Sequence, residues 1–189
     1  MNITPVGQII YWFEKAHAEV LELVESLSDE QLAWQPHSSA TSSAFNVWHI
    51  ARWVDYVQAK IPETTHVLSQ RLGPRQQVWQ VDDLVTKWGL DPASLGDLEA
   101  GNDLGLQAVQ IRLPGQAMLL EYLRRCYILE EQGLAVVDDQ QFQERRIDGA
   151  GLSDETVGHW LMGHLVHEWE HLGMIRYIQG MYDLNAPQL

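Results

Sequence analysis

The sequence predicts an all-α protein, an up-down four-helix bundle with an irregular insertion between helices two and three. Three observations predict it. Four long segments repeat apolar residues at spacings of three and four, the period of a helix packed on one face. Residues that start and stop helices bracket those segments. The first two segments are joined by a short connection, which favours antiparallel neighbours. At 189 residues the chain is long enough to bury a real core. Residues 1–189 are read as one domain.

The first helix opens at Thr4-Pro5, where Thr4 can cap and Pro5 suits the first helical position. Ile9, Ile10, Phe13, Ala16, Val20, Leu23, Val24 and Leu27 form its apolar stripe. "SDEQ" (Ser28 to Gln31) reads as a capping box for a short extra turn. The second helix is expected from about Ala44 to Ile61, stopped by Pro62 and lined by Val47, Ile50, Ala51, Val54 and Val57. Residues 62–112 are broken by glycine and proline, and only "VDDLVTKWG" reads as a short helix there. So long an irregular stretch suggests a lid or an oligomer contact. The third helix begins near Pro114, and its stripe runs from Met118 to Val137. Ser153 is the expected cap of the fourth, which continues to about Tyr182. Gly158, Gly163, Gly173 and Gly180 each weaken that helix by ~1 kcal/mol relative to alanine. Close approach of a neighbouring helix or a ligand at those points would compensate.

Charge and cysteine content remove several function classes. The formal net charge is −14, from 26 acidic and 12 basic residues. Such a surface repels phosphate backbones, so nucleic-acid binding is not expected. No apolar run reaches the ~20 residues of a membrane span. The N-terminus lacks the basic region and the small-residue cleavage site of a secretion signal, so none is expected. Cys126 is the sole cysteine, which fits a reducing cytoplasm and reads as helix packing.

The chemistry concentrates in "HLVHEWEHLGMIR" (His164 to Arg176). His167 and His171, four apart, share one helix face and can point at one ion. His164 lies on that face too, but ~10 Å along the axis from His171. As a string, His167-Glu168-Trp169-Glu170-His171 is the zinc-protease signature. A protease needs a third ligand downstream, and "LGMIRYIQGMYDLNAPQL" contains neither His nor Glu. A di-iron bundle needs two Glu-x-x-His motifs and a lone Glu from each of two other helices. Glu14-x-x-His17 and Glu168-x-x-His171 occur, but the second helix has no Glu at all. The remaining reading takes its third ligand from upstream, where "NVWHIARWVDY" places His49 near the start of the second helix. Three neutral imidazoles with an open position make a catalytic rather than a structural metal site. Trp48, Trp53, Trp160 and Trp169 flank these histidines and read as core, while His17, His37, His66 and His159 receive no functional role.

"LSDEQLAWQP", "NVWHIARW" and "HLVHEWEHLGMIR" resemble, in order, separation and placement on the helices, the DinB/YfiT-like superfamily of metal-binding four-helix bundles. The likeness covers both ends of the chain and hardly touches residues 62–112. It implies that His49, His167 and His171 are the metal ligands, that the divalent metal is zinc or nickel, and that the protein is a homodimer. The family often carries Gln after the Leu-Gly that follows its last ligand, where this chain has Met174. The resemblance also implies a small-molecule substrate and a metal-dependent transferase that uses a low-molecular-weight thiol. Arg52 and Arg176 are candidates to bind a carboxylate of such a thiol. Two alternatives stand beside it. One is a hydrolase with Glu168 as general base, although Glu168 lies ~60° from His171 around the axis. The other is a non-catalytic dimeric metal-binding or ligand-binding module.

Overall fold

The structure, a computed structural model, describes residues 4–149 and 151–185. Helix α1 (Pro5–Ser26) starts as expected, with the Thr4 hydroxyl accepting the Gly7 N–H at 3.2 Å. The Ser28–Gln31 capping box opens α2 (Asp29–Ala33). Helix α3 (Ser43–Lys60) is capped by Ser42, whose hydroxyl accepts the Phe45 N–H. After it come three short helices, α4 (His66–Leu72), α5 (Val78–Val81) and α6 (Leu84–Lys87). The expected "VDDLVTKWG" helix is split in two because Asp83 between α5 and α6 takes a left-handed conformation, φ 49°. Aspartate tolerates that region better than most residues.

The third long helix, α7, spans Gln116–Leu134, and Val137 is buried in the turn after it. A second capping box, Asp138 with Gln141, starts α8 (Asp139–Gln143). The fourth long helix departs from expectation at its start. Ser153 is not a cap: Gly151–Thr156 form strand β2, paired antiparallel with β1 (Arg145–Asp148). The hairpin holds Arg145 on Asp154 and Arg146 on Glu155, cross-strand pairs that favour an extended chain. Helix α9 then runs unbroken over Val157–Asn185. Of its four glycines only Gly158 marks a close approach, since a Cβ there would stand 2.6 Å from the Phe142 ring. A Cβ on Gly163, Gly173 or Gly180 would meet open space.

The four long helices form the expected bundle, and cross-contacts fix their directions. Glu19 pairs with Arg176, and the start of α1 lies beside the start of α9, so these two run parallel. Arg52 bonds Tyr122, and Gly133 packs on Ile61, so α3 and α7 also run parallel. His17 meets Glu130 while Arg124 meets Glu25, so α1 and α7 are antiparallel. The directions are thus up, down, down, up. α1 and α3 face each other across the core, and each packs on both α7 and α9. Two parallel neighbours need a connection that returns the whole bundle length. The irregular segment between α3 and α7 is that return.

The return segment is packed on α3, which explains why α3 is buried on nearly every side. Asp55 accepts the backbone N–H groups of Val78 and Trp79 at 2.9 and 2.8 Å. Phe45 and Trp48 press on Gly101, whose φ of +86° and lack of a Cβ let the loop come this close. The apolar core has two parts. One joins α3, α7 and the return segment; the other joins the start of α1, the end of α7 and the start of α9. No helix among the described residues is long and apolar enough to cross a membrane.

Candidate metal centre

His49, His167 and His171 come together where α3 and α9 cross. One ring nitrogen from each lies within 4.8 Å of the others. The Nε2 atoms of His49 and His167 are 3.0 Å apart. Two nitrogens each ~2.1 Å from one ion at angles of 90–109° lie about 3.0–3.4 Å apart, so the pair fits a shared ion.

The outer nitrogens explain which atoms are free to bind. Asn46 Nδ2 donates to the Ser42 carbonyl at 2.9 Å, which leaves its Oδ1 to accept from His171 Nδ1 at 2.8 Å. His49 Nδ1 donates to the Ala100 carbonyl in the return segment. With protons held on Nδ1, the Nε2 atoms of His49 and His171 carry lone pairs. An outer acceptor that fixes the tautomer is the usual support of a metal-binding histidine. Electrostatics act the same way. Burial lowers the pKa of His49 despite the Ala100 bond. Burial, then the neighbouring His171 and His49, brings His167 down to about 3. Burial, with His49 beside it, brings His171 to about 4. All three are neutral at pH 7 and able to donate. A set of three imidazole nitrogens fits zinc or nickel better than magnesium or calcium.

Aromatic rings enclose the cluster on the α3 side. Phe45 stacks on His49 with centroids 5.9 Å apart, and the Trp53 ring stands edge-on to His167 at 5.5 Å. His167 also borders a cavity of about 360 Å³ whose walls include Trp53, Val57, Trp160 and Gly163. A larger groove of about 720 Å³ runs between α1 and α9, but none of the three histidines lines it.

The other residues singled out from sequence go elsewhere. Arg52 is 2% exposed and all three guanidinium nitrogens donate within the protein. They reach the carbonyls of Leu98 and Glu99 and the Tyr122 hydroxyl, with the Trp79 ring 4.7 Å away. It staples the return segment to α3 and is not free to bind a ligand carboxylate. Arg176 sits on the surface, paired with Glu19 at 2.6 Å. Glu168 is 0% exposed, and its carboxylate turns into the bundle toward His164 and His17. That placement removes it as a general base at the three histidines. His17 and His164, which sequence gave no firm role, are buried beside it.

Sequence reasoning missed Asn46 and the Ala100 carbonyl. Asn46 could have been found, because it precedes His49 by three and so shares its face. The Ala100 carbonyl had no signal, since it comes from a loop.

The fold and this cluster fit a class, helical bundles with histidines from two helices that could hold a metal ion. The chain belongs to the DinB superfamily, a metal-binding superfamily whose model matches residues 13–175. Comparison with functionally curated proteins gives no significant match. A crystal structure described as the conserved protein of a locus from Enterococcus faecalis superposes with a TM-score of 0.69 at 18% identity. The alignment covers 92% of this chain and 94% of that one. At that identity the likeness concerns the fold alone.

Proposed function

We propose that His49, His167 and His171 hold a zinc or nickel ion with an open position, and that the protein is a metal-dependent transferase using a low-molecular-weight thiol. One observation carries this reading: three neutral imidazoles, two of them locked by outer acceptors, converge beside an apolar cavity. The ion, when bound, supplies Lewis acidity and lowers the pKa of a thiol or water that reaches it.

The chain's own residues then divide the remaining work. Asn46 and the Ala100 carbonyl hold two imidazoles in a fixed orientation, so little reorganisation is needed. Trp53, Val57 and Trp160 offer apolar surface for the electrophile and keep water from it. The Trp53 indole N–H is buried and has no hydrogen-bond partner among the described residues.

The alternative is a hydrolase of a small substrate with Glu168 as its base. Glu168, its candidate, faces the other way. Beside an ion both water and thiol can release their proton to solvent, and a thiol, the stronger acid, does so more readily, so thiol transfer is the reading preferred. Self-association is proposed as well, through the apolar face that α1 and α9 expose at Tyr11, Trp12, Met162 and Val166. Sedimentation of Trp12→Glu as a monomer, against a wild-type dimer, would support it, and a monomeric wild type would end it. The cytoplasm is the proposed setting, since the single cysteine is buried and unpaired.

The experiment is a metal assay of untagged protein, then a screen of bacterial thiols against electrophiles. The expected result is about one zinc or nickel at the three histidines and thiol-dependent turnover. His49→Ala should lose both while its circular dichroism stays native. Turnover that survives in His49→Ala would overturn the assignment. A fully metal-loaded protein without turnover on any thiol would favour the non-catalytic binding module.

A further inference from the structure

Continuous apolar core would be expected between the two apolar clusters of the bundle. The chain places a polar layer there instead. On α1, His17 lies between Ala16 of one cluster and Val20 of the other. On α7, Glu130 lies between Tyr127 and Leu134, and on α9, His164 and Glu168 lie between Leu161 and Leu172. The side chains of all four are 0–3% exposed. Burying four ionisable groups is strongly unfavourable unless each is well compensated.

Their contacts are close but mostly not hydrogen bonds. His164 Nε2 lies 3.0 Å from Glu130 Oε1 and 3.2 Å from Glu168 Oε1. It is aligned as a donor to neither, and both Glu168 oxygens and Glu130 Oε1 lack a hydrogen-bond partner among the described residues. His17 Nε2 hydrogen-bonds Glu130 Oε2 at 3.1 Å and stands 3.8 Å from Glu168 Oε2. Atoms that point past one another at 3.0–3.2 Å have the spacing of adjacent ligands around a common ion, about 3.0 Å apart for bonds of ~2.1 Å at right angles. The remaining nitrogen, His17 Nδ1, bonds the half-exposed Glu131 at 2.7 Å. A carboxylate behind a histidine is the outer support that metal-binding histidines commonly have.

We propose that His17, Glu130 and Glu168, which each offer a ligand atom within 4.8 Å of the others, form a second metal site with His164 against both carboxylates, separate from the three-histidine cluster, for one divalent first-row ion that accepts mixed nitrogen and oxygen ligands. Two carboxylates and two imidazoles favour manganese or iron(II) over the softer preferences of an all-imidazole site. Charge supports the assignment. Without an ion the layer must recruit protons: burial pulls His17 down, yet Glu130 and Glu131 raise it to about 10. Glu130 is lowered against its burial by His164 and His17. A dication satisfies the same two carboxylates and leaves both imidazoles neutral. The site does not depend on the function proposed for the cluster of His49, His167 and His171 (hereafter the rim), since it shares none of those residues.

The test uses the full chain, stripped with chelator and titrated with Mn2+ while free ion is read by electron paramagnetic resonance. The decisive protein is His49→Ala with His171→Ala, which dismantles the rim and leaves the layer intact. It should still take up one equivalent of Mn2+, and uptake of none would overturn the proposal. In that background Glu130→Gln should abolish uptake. Glu131→Gln, on the surface and no threat to folding, should weaken uptake about 10–100-fold. Full affinity in the Glu131→Gln protein, or uptake that survives Glu130→Gln with native circular dichroism, would also overturn it.

Discussion

The rim cluster and the core layer use the same residue, histidine, under opposite rules. At the rim, histidines lean on neutral acceptors, the Asn46 amide and the Ala100 carbonyl, and burial keeps them uncharged. In the metal-free layer, they lean on carboxylates and are held charged. The partner, more than the burial, decides the protonation state. The rim borders a cavity and suits an exchangeable ligand, whereas the layer is buried and meets that cavity only at His164.

The largest effect expected from breaking this contrast is on stability. In metal-free protein, Glu130→Ala leaves His17 and His164 buried without their main partner. Urea unfolding should show a loss of about 3–5 kcal/mol. Replacing His17, Glu130, His164 and Glu168 together by apolar residues of similar volume should be neutral or stabilising. A single variant as stable as wild type would show that the layer is not a coupled network.

A graded effect is expected from pH, with opposite signs in the two regions of metal-free protein. His167 and His171 have folded values of about 3 and about 4, below their ordinary 6.5. Between those values and 6.5 the unfolded chain binds protons that the folded chain refuses, so the rim lowers stability as pH falls. His17 is raised to about 10, so its contribution is full below 6.5 and lost as pH rises through about 10. Burial and Glu130 raise Glu168 to about 7, so its contribution is full below 4.5 and lost through about 7. Urea midpoints across the pH range should therefore lose their acid slope in His167→Ala with His171→Ala. They should lose their alkaline slope when the layer is made apolar. Unchanged slopes in both proteins would remove the contrast.

The smallest effect concerns the helix that carries both sites. Gly180→Ala adds a Cβ in open space and should stabilise α9 by up to ~1 kcal/mol. Gly158→Ala drives a Cβ into Phe142 and should destabilise, which thermal melts of the two variants would compare.

Sequence carried the local features and missed those made by distant chain. The four long helices, the Thr4 and Ser28 caps and the His167–His171 pair follow from spacing and residue type alone. Ser153 misled because a serine before a helical pattern resembles a cap, while its strand exists only through cross-strand pairing. Arg52 misled because it shares the His49 face, yet its partners Leu98 and Glu99 lie in a segment without periodicity. The polar layer left one faint trace. Glu130 falls on the stripe of Leu119, Tyr122, Leu123, Cys126 and Tyr127, an acid on an apolar face. His17 sits likewise beside Phe13, Ala16 and Val20.

The support of His49 by the Ala100 carbonyl also sets an order of assembly. Ala100 lies 51 positions from His49, and Asn46 lies 125 positions from His171. Closing such long loops is slow relative to forming single helices. A chain still emerging from the ribosome has His49 long before it has the return segment, and acquires the other two ligands only with its final helix. Nascent chains and partly folded forms therefore lack the full set, and the three histidines meet only once the return segment and α9 have docked.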